Sequence, residues 1–227
     1  MRRALRVLSA ILIVGGALLL IDGALTLLWE EPISSLYASR QQSRLGEQLE
    51  QLERTGPSAA ERRALAQLHT QDRQLALAAR LARQRAADGD AVGRLRAAAI
   101  GLDEVIVQGT GTSDLRKGPG HYPDSPLPGA PGTVAIAGHR TTYGAPFRDI
   151  DDLDRGDRIE LAMPYGRFGY RVERTRIVAP TALWVTRPVA YDRLVLTACH
   201  PLYSAARRIV VFARLTGAAA RFRVATP

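Results

Sequence analysis

The sequence predicts an all-β domain, a closed or nearly closed barrel of about eight short strands with short helices, carried behind an N-terminal apolar helix and a helical spacer. Three observations carry that reading. The apolar segments downstream of Arg94 are short, β-branched and bounded by Gly, Pro and Asp. No long helical pattern separates them, which argues against parallel βαβ units. Upstream the composition is different: an apolar stretch, then a zone dominated by Arg, Gln, Ala, Leu and Glu.

Residues 1–6 form a basic flank with Arg2, Arg3 and Arg6. Residues 7–29 follow as an apolar run. A membrane-spanning helix needs about 20 mainly apolar residues, which this run supplies. Asp22 lies about two helical turns from Trp29, near an interface rather than at the costly bilayer centre. Leu27, Leu28 and Trp29 are too bulky for the small-x-small site of a cleaved signal peptide, so the run reads as a retained anchor. Glu30 and Glu31 open the far side, and Arg40 and Arg44 come only later. The basic bias therefore places residues 1–6 in the cytoplasm and the rest of the chain on the extracytoplasmic face.

Residues 30–92 read as a helical spacer, because their dominant residues are strong helix formers. Leu45, Leu49 and Leu52 share one helical face. Thr55-Gly-Pro-Ser58 interrupts the pattern, and Ser58 stands as the N-cap for Ala59-Ala-Glu61. A second run places Leu65, Leu68, Leu75 and Ala82 at heptad-like spacing, spoiled by Asp72. That is too short for a coiled coil. The expectation is a spacer holding the next domain off the membrane, with self-association or packing on that domain as alternatives. Asp88-Gly-Asp90 marks the boundary to a domain over residues 93–227.

Within that domain the expected strands are residues 103–108, 132–137, 158–162, 168–178, 193–197 and 208–213. Residues 168–178 alternate with period two through Tyr170 and Val172, as a half-buried antiparallel strand does. Pro119–Pro131 is a long loop rich in Pro and Gly, and loops of that length are commonly functional or disordered. The formal net charge is +9 and Arg far outnumbers Lys. These charges are spread along the chain, with neither zinc-finger spacing nor an aromatic–basic signature, so nucleic acid is not an expected partner. A lone cysteine excludes an intramolecular disulfide.

That cysteine is the most informative residue. Cys199 ends the run Leu194-Val-Leu-Thr-Ala-Cys199 and precedes His200-Pro201. His139 follows the apolar run Val134–Ala137, and Arg208 introduces Ile209–Ala213. A thiolate is the nucleophilic form of cysteine, and a neighbouring imidazolium or guanidinium favours it. Attack on an amide carbonyl creates an oxyanion that needs donors, which an arginine fork supplies. An imidazole protonates the departing amine and later deprotonates the incoming nucleophile. Taken alone, Cys199 is as readily a buried small hydrophobe, and His139 alone a structural histidine.

Three stretches settle between those readings: Gly118-Pro-Gly-His-Tyr-Pro123; Ala135-Ile-Ala-Gly-His-Arg140 with Thr141-Thr-Tyr-Gly-Ala-Pro-Phe147; and Leu194-Val-Leu-Thr-Ala-Cys-His-Pro201 with Arg208-Ile-Val-Val211. On them, residues 94–215 resemble the sortases, cysteine transpeptidases of bacterial cell envelopes, and within these the actinobacterial class E group. The resemblance implies the family's eight-stranded barrel, with Cys199 as nucleophile, His139 as acid/base partner and Arg208 as substrate or oxyanion stabiliser. It also implies a membrane-anchored enzyme that cleaves a Leu-Pro-x-Thr-Gly or Leu-Ala-x-Thr-Gly sorting signal of secreted proteins after Thr. The acyl group would then pass to an amine of the peptidoglycan precursor or to a pilin lysine, the latter disfavoured because no second apolar span follows residue 200. No cofactor and no metal is expected. The family pattern Thr-Leu-x-Thr-Cys is altered here to Val195-Leu-Thr-Ala-Cys199. Ala198 lacks the hydroxyl before the nucleophile, which throws weight on Thr197 and raises the alternative of a protease that hydrolyses its thioacyl intermediate. A non-catalytic envelope-binding or scaffolding module is the other alternative. Tyr143, His121 and His200 complete the candidate substrate-binding residues, with wall packing or loop stabilisation as plainer roles.

Overall fold

Four helices lead the chain, and the last two start at side-chain caps. In the computed structural model, which describes residues 2–28 and 32–222, they are α1 (Arg2–Leu28), α2 (Pro32–Thr55), α3 (Ala59–Ala66) and α4 (Gln71–Arg85). Ser58 caps α3 reciprocally: its hydroxyl accepts from the Glu61 N–H at 3.3 Å, and the Glu61 carboxylate accepts from the Ser58 N–H at 2.7 Å. Thr70 caps α4 by accepting from the Arg73 N–H. The large apolar side chains of α1 from Val7 to Leu20 are exposed. Among the described residues, no helix is long and apolar enough to cross a membrane. Trp29, Glu30 and Glu31, which bear on the expected anchor and its orientation, lie outside the described residues.

The helices downstream of α1 lie on the barrel. On α2, Leu45 and Leu49 are buried against Ala91, Val105 and Val107, while Leu52 on the same turn series stays exposed. Leu65 of α3 and Leu75, Ala78 and Ala79 of α4 join the main core. Within the described residues, α2, α3 and α4 therefore pack on the domain.

The strands are β1 (Ala91–Ala97), β2 (Leu102–Gln108), β3 (Gly120–His121), β4 (Thr133–Ala137), β5 (Arg158–Met163), β6 (Gly166–Val178), β7 (Arg193–His200) and β8 (Arg207–Ala220), with one short helix, α5 (Thr112–Leu115), between β2 and β3. They close into a barrel in the order β1-β2-β3-β4-β7-β8-β6-β5. Two pairs, β2 with β3 and β4 with β7, are parallel. The β4–β7 pair is not a βαβ unit, because the chain between those strands runs through β5 and β6, whereas β2 and β3 are joined through the single turn of α5.

Two strands escape the sequence pattern. In β1, Arg94 and Arg96 interrupt the apolar residues, and a bulge falls between Ala91 and Gly93. Both arginines are answered across the sheet by Asp103 of β2, and Arg96 also by Glu160 of β5. Strand β3 is too short to show a period. Because β3 meets β2 only at Val107 and Gln108, the edge of β2 at Val105 is met by a side chain instead. Gln42 of α2 accepts from the Val105 N–H at 2.7 Å and donates to the Val105 and Lys117 carbonyls at 3.0 and 2.8 Å.

The two-residue period of β7 and β8 sorts their side chains between two clusters. Leu194, Leu196, Ala198, Ile209, Val211 and Ala213 face the barrel core. Val195, Val210 and Phe212 face outward, against Ala135 and Val185. The outward face is the one that matters for chemistry.

Candidate active site

Cys199 on β7 is paired directly with Arg208 on β8. Opposite residues of an antiparallel pair project from the same face, so thiol and guanidinium share the outward face, both half-buried. The Arg208 Nη1 donates to the Ala205 and Arg207 carbonyls at 3.1 and 3.0 Å, which anchors it to the turn between β7 and β8. Thr197, two residues before Cys199, lies on the same face and is buried, its hydroxyl 3.0 Å from the Tyr122 hydroxyl.

Ala198 corrects a sequence expectation. Its side chain lies in the core cluster, on the opposite face of β7 from Cys199. A hydroxyl at this position would point into apolar packing, not toward a substrate at the thiol. Its side chain therefore has no place among the substrate contacts.

His139 is brought in by the parallel register of β4 and β7. The last ladder pair is Ala137 with Thr197, and the Gly138 N–H donates to the Thr197 carbonyl at 3.0 Å. Continued by two residues, this register sets His139 level with Cys199. Gly138 is required here for space: a Cβ would meet the Phe147 ring at 2.6 Å. The Phe147 N–H donates to the His139 carbonyl at 2.9 Å, closing the loop that begins at the imidazole. His139 is half-buried, and burial, with the Arg116 charge adding to it, lowers its pKa below the ordinary histidine value. The imidazole is thereby biased toward the neutral, proton-accepting form.

Tyr143 stands against His139, ring centroids 5.5 Å apart, and meets Tyr37 of α2 edge-on at 6.3 Å. The Arg116 guanidinium covers the Tyr143 ring at 5.4 Å. Its backbone takes a left-handed φ of 52°, and its N–H donates to the Ser34 hydroxyl of α2. Tyr143 thus lines the site and ties it to the helical layer.

The two remaining candidate histidines, His200 and His121, separate. His200 is half-buried beside Cys199, with Nδ1 3.4 Å from Nη1 of the buried Arg140. His121 is buried in β3, its Nδ1 3.0 Å from Gln108 Oε1 and its Nε2 3.1 Å from the Pro126 carbonyl and 3.0 Å from the Ser125 hydroxyl. It pins the Pro-rich loop and presents no ring edge to the outward face. Substrate contact through His121 does not fit this placement. Tyr122, Arg116 and Arg140 carry no assignment from sequence reasoning. Tyr122 sits within a quoted motif and Arg140 directly follows His139, and these positions are the only signals the sequence offers for them.

A family model for the sortase domain matches residues 95–216. The chain belongs to the sortase family. Sortase D of Bacillus subtilis (strain 168) is 35% identical over 131 residues, covering 56% of this chain and 64% of that protein. The chain thus spans less than two thirds of that relative's length. The solved structure of sortase E from Streptomyces avermitilis matches with a TM-score of 0.54 at 31% identity, over 59% of this chain and 93% of that one. Sortase E1 from Streptomyces coelicolor, solved with a tripeptide in its active site, matches with a TM-score of 0.56 at 26% identity, over 60% of this chain and 94% of that one. Likeness extends to sortases of both the D and E kinds, and the barrel seen here is the sortase fold.

Proposed function

We propose that this sortase is a membrane-anchored cysteine transpeptidase that cleaves a Leu-Pro-x-Thr-Gly or Leu-Ala-x-Thr-Gly signal after Thr and passes the acyl group to a cell-wall amine. The observation that carries the reading is the meeting of three strand ends. Cys199 lies opposite Arg208 on one face, and His139 is set level with the thiol by the β4–β7 register. In this scheme His139 takes the proton of the Cys199 thiol as the sulfur attacks the Thr carbonyl carbon, and Arg208 beside it stabilises the oxyanion. His139 protonates the departing Gly amine as the C–N bond breaks, leaving a thioacyl enzyme. An incoming amine then gives a proton to His139 as it displaces the thiol. The tripeptide in the Streptomyces coelicolor relative supports a peptide at this face.

The hydrolytic alternative rests on the missing hydroxyl at position 198, and the inward placement of Ala198 removes that motive. Residues 7–29 would hold the enzyme in the membrane, a reading supported by the exposed apolar side chains of α1 from Val7 to Leu20, and the basic flank of Arg2, Arg3 and Arg6 would keep the barrel outside. The test uses the full chain in detergent, incubated with a pentapeptide library spanning both signal types, with and without triglycine or diaminopimelate, and products read by mass. Wild type is expected to form the amine adduct and Cys199→Ala to form none. Cleavage without adduct at saturating amine would mean hydrolysis. Undiminished cleavage by Cys199→Ala would remove the mechanism altogether.

A further inference from the structure

Two residues that no chemical step uses stand directly beside the two that carry it: Arg140 follows His139, and His200 follows Cys199. Their side chains meet, with Arg140 Nη1 lying 3.4 Å from His200 Nδ1. A guanidinium only donates, so Nδ1 of His200 is the acceptor in this contact. The other two nitrogens of the guanidinium are also engaged. Nε and Nη2 donate to the Arg148 carbonyl at 3.0 and 2.8 Å, and Nη2 also donates to the Asp151 carboxylate. Arg140 is only 3% exposed, so it cannot reach a substrate on the outward face. Burying its charge is tolerable because a carboxylate and carbonyls answer it. Among the described residues, the backbone ladder joining β4 to β7 ends with Gly138 and Thr197. Both reacting side chains lie beyond that last bond.

We propose that Arg140 is a positioning residue that, through His200, fixes the distance between His139 and Cys199. The guanidinium is a rigid fork, held on one side by the turn at residues 148–151 and on the other by the neighbour of the nucleophile. This rests on the transpeptidase reading for its turnover measurement only.

The test compares full-length Arg140→Lys, His200→Leu, His200→Asn and the Arg140→Lys/His200→Leu pair. Asn keeps an acceptor near the Nδ1 position, and Leu removes it. Misplacing reacting groups by about 1 Å costs about 100-fold in rate, so Arg140→Lys and His200→Leu are each expected to lower kcat by about that factor with KM little changed. His200→Asn should retain at least about tenfold more activity than His200→Leu, and the double variant should be no slower than its slower parent, as coupled residues require. Wild-type kcat in His200→Leu, equal loss in Asn and Leu, or additive loss in the pair each overturns the proposal. Should Arg140→Lys fail to fold, the His200 variants decide, because that side chain is only half-buried.

Iodoacetamide labelling of Cys199 against pH needs no peptide. Its profile depends on the thiol–imidazole distance, and it is expected to move in His200→Leu and to stay near wild type in His200→Asn. If wild type turns over no peptide, the transpeptidase reading fails, and labelling alone decides the clamp. An unmoved profile in His200→Leu overturns it.

Discussion

His121 shows how one buried side chain converts into a pH dependence of the whole protein. Burial, the largest influence, pushes its pKa from 6.5 down to about 4, against a smaller opposing effect of the Pro126 carbonyl. Between those values the unfolded chain binds a proton that the folded chain does not. Stability is therefore full above pH 6.5 and falls as the pH drops toward 4, by about 3 kcal/mol from this residue. Below that pH it contributes no further loss. Urea unfolding at pH 7 and pH 4 is expected to show a smaller difference for His121→Asn than for wild type, and an equal difference would mean the histidine does not titrate this way. Neutral His139 acts in the same direction, and comparing the variant with wild type isolates His121. Cys199, His139 and Arg208 are legible in the sequence because each adjoins an apolar run and carries chemistry unusual at such a place. The side-chain direction of Ala198 becomes legible only once the register of β7 against β8 is known. Arg140 is hidden for a different reason, since charged residues are ordinarily exposed and nothing local in the sequence announces a buried guanidinium.

At the scale of elements, the packing of α2 has a measurable energy. Leu49 is buried against Ala91, Val105 and Val107, and truncating a buried leucine costs about 2–5 kcal/mol. Leu49→Ala is expected to lower unfolding stability within that range, whereas a free-standing spacer would leave it unchanged. Chemical denaturation of the two proteins distinguishes these outcomes. A docked helix and a solvated one share the same helix-forming residues, so composition alone left both open. The strands read from β-branched runs fall where expected, with β7 longer at its C-terminal end because its ladder with β8 continues to Cys199 and His200, and β8 longer at its C-terminal end because its ladder with β6 continues to Ala220. Strand β1 is obscured because its two arginines are neutralised by partners on β2 and β5, and pairing across a sheet leaves no mark in a local window.

For the molecule as a whole, the barrel shares its apolar packing with α2, α3 and α4. Leu65 and Leu75 share a core cluster with Phe168 and Leu161. A fragment of residues 93–227 would lack these side chains and also Ala91 and Val92 at the start of β1. It is expected to melt at lower temperature than a fragment starting at Pro32, and calorimetry of the two would show it; equal melting would mean the helical layer adds nothing. The barrel class is legible from sequence because it follows from many short strands. The dependence of the barrel on its upstream helices is not, because it arises from contacts between distant segments. The Gln42 amide has a consequence of another kind. By occupying the Val105 N–H and C=O it imitates one residue of a neighbouring strand, and a β-edge left open is a template for a second chain. The shortened fragment should therefore self-associate on size exclusion while the longer one elutes as a monomer, making this glutamine a guard of solubility as much as a part of the fold.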